Sequence, residues 1–208
     1  MKKGILTVIS GFSGVGKGTL IRELLARHPE QYALSVSVTT REPRDGEVNG
    51  VNYHFISDEE FRSMIYREQL LEYAGYVGHY YGTPKQFVEE NLACGRDVIL
   101  EIEVQGALKV KEIHPETLMI FIVPPSFETL KQRLIGRGTE DAATIEERLK
   151  RASEEAENLE SYDYALTNDV LEESTERLHR LIQSSKEAVK YKQKELDALR
   201  AQIQNYHA

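Results

Sequence analysis

The stretch ILTVISGFSGVGKGTLIRELLAR, from Ile5 to Arg27, constrains the fold more than any other part of the chain. Its apolar opening, Ile5 to Ile9, reads as a buried strand, and Lys17 to Arg27, with Leu20, Leu24 and Leu25 at helical spacing, reads as a helix. Between them the glycines permit backbone conformations that turn successive N–H groups toward one point, and the following helix start adds its positive dipole end. That is a receptor for an anion. The spacing is G-x-x-x-x-G-K, a phosphate-binding loop, and Lys17 would bridge terminal phosphates as a point charge. Gly11, Phe12, Ser13, Gly14, Val15, Gly16, Lys17, Gly18 and Thr19 are therefore the candidate nucleotide cradle. One piece is displaced: Gly18 stands where a Ser or Thr hydroxyl ordinarily helps hold Mg²⁺, and the hydroxyl, Thr19, comes one residue later. Mg²⁺ would then be held mostly by phosphate oxygens and water, which suits an ion that keeps several waters. No residue is assigned as a direct metal ligand; Thr19 and Glu101 are the candidates.

Three further apolar runs read as strands, DVILEIE from Asp97, TLMIFIV from Thr117 and DYALTN from Asp163, with helical patterns at Gln105 to Ile113 and Phe127 to Leu134. Strand followed by helix, repeated, implies an α/β fold whose parallel sheet is covered on both faces. Glu101 and Glu103, two apart at the end of the second run, should point the same way and serve one site, where they could hold a metal's waters.

Two segments break the rhythm. The first, 37–92, is dense in Tyr, Gly and Asn, with helix starts at Ser57-x-x-Glu60 and Thr83-Pro84; it reads as an inserted lobe. The second, 136–150, begins GRGTED, restarts a helix at Thr144-x-x-Glu147 and reads as a hinged flap. The core is expected over 1–36, 93–135 and 151–208, ending in one long charged helical pattern from Leu171 to Ile203 that suits packing on the core or self-association into a homo-oligomer.

Lys and Arg number 26 against 34 Asp and Glu, a net charge of −8, which argues against a surface built to neutralise nucleic acid. The single cysteine, Cys94, excludes an internal disulfide and fits a reducing compartment. The N-terminal apolar run reads as a strand rather than a signal peptide, and the longest apolar stretch, Met119 to Val123, is too short to span a membrane. A soluble cytoplasmic protein is expected.

Within the lobe, Arg41, Arg44 and Tyr53 form a plausible clamp for a single phosphate through charge-assisted bonds. Downstream, Glu72 stands in apolar and aromatic company, followed by Tyr81 and Thr83. With the loop GFSGVGKGT, the runs TTREPRDGEVNGVNYHF, YYGT, EIEVQG, PPS, RLIGRGTE and ND make the chain similar to guanylate kinases over nearly its whole length. The resemblance implies a three-layer parallel-sheet phosphate-loop kinase core with an inserted GMP-binding lobe and a lid that closes over ATP. By matching positions it places Ser37, Glu72 and Thr83 on the guanine and Arg41, Arg44, Tyr53 and Tyr81 on the GMP phosphate. Glu101 and Glu103 stand on the GMP side where many relatives carry Asp, and Phe12 stands where proline is common. On the ATP side the resemblance implies Arg133, Arg137 and Arg148 from the lid region, and Asn168 and Asp169 near the adenine. Lys17, Arg41, Arg137 and Arg148 are the implied catalytic cations, and the implied reaction moves the γ-phosphoryl group of MgATP to GMP, with dGMP a second acceptor. A sugar-phosphate kinase on the same fold, and an interaction module whose lobe binds a phosphorylated protein segment, are the alternatives; the intact loop weighs against the latter.

Overall fold

The opening apolar run is a strand, β1 (Leu6–Gly11), buried at every residue, and α1 (Lys17–Arg27) begins at the loop's lysine. The computed structural model describes residues 3–76, 78–136 and 141–206. After β2 (Tyr32–Ser35) the chain builds a second sheet with its helix, β3 (Val38–Thr39), β4 (His54–Phe55), α2 (Asp58–Tyr66), β5 (Leu70–Tyr76) and β6 (His79–Pro84), and then α3 (Lys85–Ala93), whose Val88 and Leu92 return to the core beside β1 although the sequence placed them in the lobe. It then continues through β7 (Asp97–Glu101), α4 (Val104–Ile113), β8 (Leu118–Val123), α5 (Phe127–Ile135), α6 (Ala142–Ala156), β9 (Tyr164–Thr167), α7 (Leu171–Ser185) and α8 (Gln193–Tyr206).

Five strands form a sheet in the order β2-β7-β1-β8-β9, with every pair parallel. Parallel neighbours need crossover connections, and the helices those crossovers supply cover both faces. The strands' period of two is visible in the core. Ile5 and Ile9, Ile99, and Leu118, Ile120 and Ile122 face a cluster with Leu20 and Leu24 of α1, Leu130 of α5 and Leu178 of α7. Their alternates, Leu6 and Val8, Val98 and Leu100, and Met119, face Val88 of α3 and Ala107 and Val110 of α4. This is the three-layer α/β fold expected from the sequence.

Three expectations need correction. The four strands read from the sequence are joined by a fifth, β2, whose four residues carry too little pattern to stand out; its pairing with β7 makes it an edge of the sheet. The helix after the flap starts at Ala142 rather than at a Thr144 cap, because Asp141 caps it, accepting from the Thr144 N–H at 2.8 Å. The pattern from Leu171 to Ile203 is two helices, interrupted by a 3-10 turn at Val189–Tyr191; α7 packs Leu178 and Ile182 into the core, whereas α8 buries no residue.

The lobe's own sheet runs β4-β3-β6-β5. Its helix α2 begins with the capping box legible in the sequence: the Glu60 N–H donates to Ser57 Oγ at 3.2 Å, and the Ser57 N–H donates to Glu60 Oε2 at 2.9 Å. Buried Phe61 fixes that helix against Tyr80 of the lobe sheet, with ring centroids 5.4 Å apart. At the other end of the core, fully buried Asp97 accepts from the Ile5 N–H at 3.0 Å and from Gln183 at 3.1 Å, and pairs with Lys186 at 2.6 Å, tying α7 to the sheet. Among the described residues no helix is long and apolar enough to cross a membrane.

Candidate active site

The loop between β1 and α1 needs its glycines. Gly14 and Gly16 have φ of +85° and +94°, and a Cβ added there would lie 2.6 Å from Leu134 Cδ2 or 2.8 Å from Asn168 Nδ2. Asn168, read from the sequence as an adenine neighbour, is buried and donates to the Val15 carbonyl at 2.9 Å, so its side chain braces the loop. Arg133 donates to the carbonyls of Asn168, at 2.9 Å, and Val15, at 3.3 Å, closing a second link behind the same turn. The Lys17 ammonium folds back on the loop, donating to the carbonyls of Gly11 at 2.5 Å and Phe12 at 3.4 Å. Phe12 packs edge-on against Phe121, which gives this side chain a place in the core.

Around Gly18 the structure separates the two metal candidates. Thr19 is exposed and its hydroxyl accepts from Arg22 at 3.3 Å, a setting that does not suit a cation. A Cβ on Gly18 would stand 3.7 Å from both carboxylate oxygens of Glu101, so that carboxylate occupies the neighbourhood where the ordinary hydroxyl would be. Burial pushes the Glu101 carboxyl up, and Lys17 opposes the shift. Glu103 departs from the sequence reading: β7 ends at Glu101, and Glu103 is the exposed residue before α4. The two acids do not share a strand face, because the chain must leave the sheet for α4.

The lobe brings its candidates together through strand register. Glu72 pairs with Thr83 across β5 and β6, and Val38 pairs with Gly82, so Ser37, just before β3, lies beside Thr83. Glu72 and Thr83 are 6% and 0% exposed, and the Thr83 hydroxyl donates to Glu72 Oε1 at 2.7 Å. The other oxygen, Oε2, meets the first turn of α4, 3.0 Å from where a Cβ on Gly106 would sit. Burial raises the Glu72 carboxyl, while the Thr83 bond and Lys109 hold it down.

Arg41 lies over the rings of Tyr53 and Phe55, at 5.4 and 5.7 Å, and Tyr53 meets Tyr81 edge to face at 5.9 Å. Burial, then the charge of Glu101, pushes the Tyr53 hydroxyl up to about 12. Glu47, unmarked in the sequence reading, accepts from Arg41 at 2.9 Å and from the Arg44 N–H at 2.8 Å; an acid three residues after an arginine pair was its only signal. Arg44 itself is exposed.

From the flap's helix α6, Arg148 donates to Ser13 Oγ at 2.8 Å and so reaches the phosphate loop directly. Helix α5 stops at Ile135, with Gly136 as its C-cap, and the expectation for Arg137 lies outside the described residues. The sequence reading also missed Glu155 and Tyr162, buried polar groups below the loop whose setting depends on long-range packing.

A family model described as guanylate kinase matches residues 3–185. Among relatives, a guanylate kinase of Bacillus anthracis is 51% identical over 87% of this chain and 88% of its own length, and one of Bacillus subtilis (strain 168) is 49% identical over 87% and 89%. A crystal structure of guanylate kinase from Anaplasma phagocytophilum superposes with a TM-score of 0.73 at 32% identity, covering 90% of this chain and 89% of that one. With the glycine cradle, the carboxylate and hydroxyl aligned in the lobe, and a flap arginine on the loop, these likenesses give one conclusion: the chain belongs to the guanylate kinase family.

Proposed function

We propose that this protein catalyses transfer of the γ-phosphoryl group of MgATP to GMP, giving ADP and GDP, with dGMP as a further acceptor. The observation that carries this reading is the buried Glu72–Thr83 pair, aligned with Ser37 on the lobe sheet. Guanine presents N1–H and its exocyclic amine side by side, and one carboxylate accepts both; adenine would set its N1 acceptor against that carboxylate. The Thr83 hydrogen is committed to Glu72, so Ser37 is the hydroxyl that would donate to guanine O6. Arg41, Arg44, Tyr53 and Tyr81 would hold the GMP phosphate, with Arg41 exchanging its bond to Glu47 for the new anion.

No side-chain nucleophile is required, because the acceptor is already an anionic phosphate oxygen. Positioning in line and neutralisation of charge by Lys17, Arg133, Arg137 and Arg148 would supply the rate. The lobe over 37–92 and the flap over 136–150 would close on the core, excluding water that would otherwise accept the phosphoryl group. The carboxylate beside Gly18 fits a Mg²⁺ held through its waters, so Glu101 would hold it in place of the missing hydroxyl. When bound, that ion supplies charge neutralisation on the phosphates. The enzyme would work as a soluble protein of the reducing cytoplasm.

The test is ADP release measured with GMP, AMP, CMP and UMP as acceptors. GMP should dominate, and Lys17→Ala should lower kcat by more than about a thousandfold with unchanged melting. Equal use of the four acceptors would overturn the guanine reading, and near-normal turnover by Lys17→Ala would overturn the phosphate-loop reading.

A further inference from the structure

The chain after Arg41 folds back on itself. Gly46 has φ of +84°, and the Glu47 N–H donates to the Arg44 carbonyl at 3.0 Å, a turn that returns the Glu47 side chain to the residues just before it. There one carboxylate serves two partners. Its Oε1 accepts from the Arg41 guanidinium at 2.9 Å, and its Oε2 accepts from the Arg44 N–H at 2.8 Å. Both members of the ion pair are largely shielded, with 12% of the Arg41 side chain and 18% of the Glu47 side chain exposed. The hydrogen bond from Arg41 holds the Glu47 carboxyl below its usual range, so it is ionised at neutral pH.

Arg41 is thereby fixed along its whole length. Its N–H donates to Thr39 Oγ1 at 3.2 Å, and buried Thr39 donates in turn to the Tyr80 carbonyl at 2.9 Å, which ties the start of the residue to the lobe sheet. Its guanidinium donates to the Glu42 carbonyl at 2.7 Å and lies over the rings of Tyr53 and Phe55. Of these partners Glu47 carries the opposite charge, and without it a shielded guanidinium would be short of its anion. A long arginine side chain otherwise samples many rotamers, and ordering it when a ligand arrives costs affinity.

We propose that Glu47 is the positioning residue of the phosphate clamp: in the empty lobe it holds the Arg41 guanidinium over Tyr53 and Phe55 and the Arg44 main chain in its turn, so that the acceptor's phosphate meets a clamp already assembled. The inference rests on the reading of the lobe as the GMP site. When the phosphate arrives, Arg41 passes from a carboxylate with one charge to an anion with nearly two, and Glu47 keeps the Arg44 N–H, so the turn stays closed. Glu47 therefore acts on the phosphate of the acceptor and not on its base.

The test is Glu47→Gln, which keeps the shape of the side chain while its amide oxygen can accept from one partner and its NH₂ group faces the other's donor. Steady-state ADP release should show KM for GMP raised about tenfold, the scale of ordering a long side chain on binding, with kcat and KM for ATP within about twofold of wild type. Inhibition by guanosine, which carries the base without the phosphate, should keep its wild-type strength. Glu47→Asp keeps the charge but is one methylene too short to hold both partners; it should show the same split in smaller measure, and it decides the matter should Glu47→Gln not fold. An unchanged or lowered KM for GMP overturns the inference, because Glu47 would then be idle or a mere competitor for Arg41. Guanosine inhibition weakened as much as GMP binding also overturns it, since Glu47 would then support the lobe as a whole; both results leave the GMP reading standing. Wild type that uses GMP no better than AMP overturns both.

Discussion

Replacing Glu72 by Gln tests base recognition at its most buried point. The side chain is 6% exposed, with Oε1 on the Thr83 hydroxyl at 2.7 Å and Oε2 against the first turn of α4, so an amide of the same shape has no room to turn aside. If the amide oxygen keeps the Thr83 bond, its NH₂ group faces the two donors of guanine; if it flips, Thr83 loses its acceptor. Losing one charge-assisted hydrogen bond costs about 1.5–3 kcal/mol, and a buried donor left unpaired adds about 1–3 kcal/mol. The sum, about 2.5–6 kcal/mol, lowers kcat/KM for GMP by roughly 70- to 25,000-fold, while KM for ATP should stay within about twofold. The assay is coupled ADP release with GMP and with IMP, which lacks the exocyclic amine. Wild type should prefer GMP by roughly 10- to 150-fold, the worth of one charge-assisted bond, and the variant should narrow that preference to a few-fold. Removing a buried charge should leave the melting temperature within a few degrees, so lost activity would not be unfolding. An unchanged kcat/KM for GMP, or a GMP-over-IMP preference kept intact by the variant, would refute the reasoning.

Three other perturbations test the surroundings. Gly106→Ala places a Cβ 3.0 Å from Glu72 Oε2, a group with no room to move; kcat/KM for GMP should fall about tenfold through misplacement, and the crowding should offset the helix gain of about 0.5–1 kcal/mol, so melting should stay within about 3 °C. Asp97→Ala leaves the Lys186 ammonium, the Ile5 N–H and Gln183 short of a buried partner, a loss of about 3–5 kcal/mol that should lower the melting temperature by about 10 °C; a drop under about 3 °C would mean the three contacts are not coupled. His28 and His179 stack with centroids 3.9 Å apart, and burial, then His28, holds His179 below its ordinary value. The folded protein thus binds fewer protons at this site than the unfolded chain, so its contribution is complete above about pH 6.5 and lost as the pH falls below that value; melting curves of His179→Gln should show a shallower acid decline than wild type, and parallel declines would count against it.

Much of the candidate site was legible because its chemistry is local. The phosphate loop lies within nine residues, and its glycines, lysine and flanking periods carry their meaning without reference to the rest of the chain. The capping box at Ser57 and Glu60 was equally plain, since both partners sit in one turn. Glu72 and Thr83 could be named as a pair, but that the hydroxyl donates to the carboxylate, with Ser37 in register beside them, follows from strand pairing. Glu103 was misread for the converse reason: strand periodicity was extended past the point where β7 gives way to α4.

The sequence by itself determined the alternation of strands and helices, the glycine cradle and the residue types able to read guanine, because period, φ preference and donor pattern belong to short stretches of chain. Only the tertiary structure decided that β2 is an edge strand, that Asn168 braces Val15 across 153 residues, and that Glu155 of α6 is buried. Those outcomes depend on which faces pack together, and burial and charge between distant segments are set by that packing.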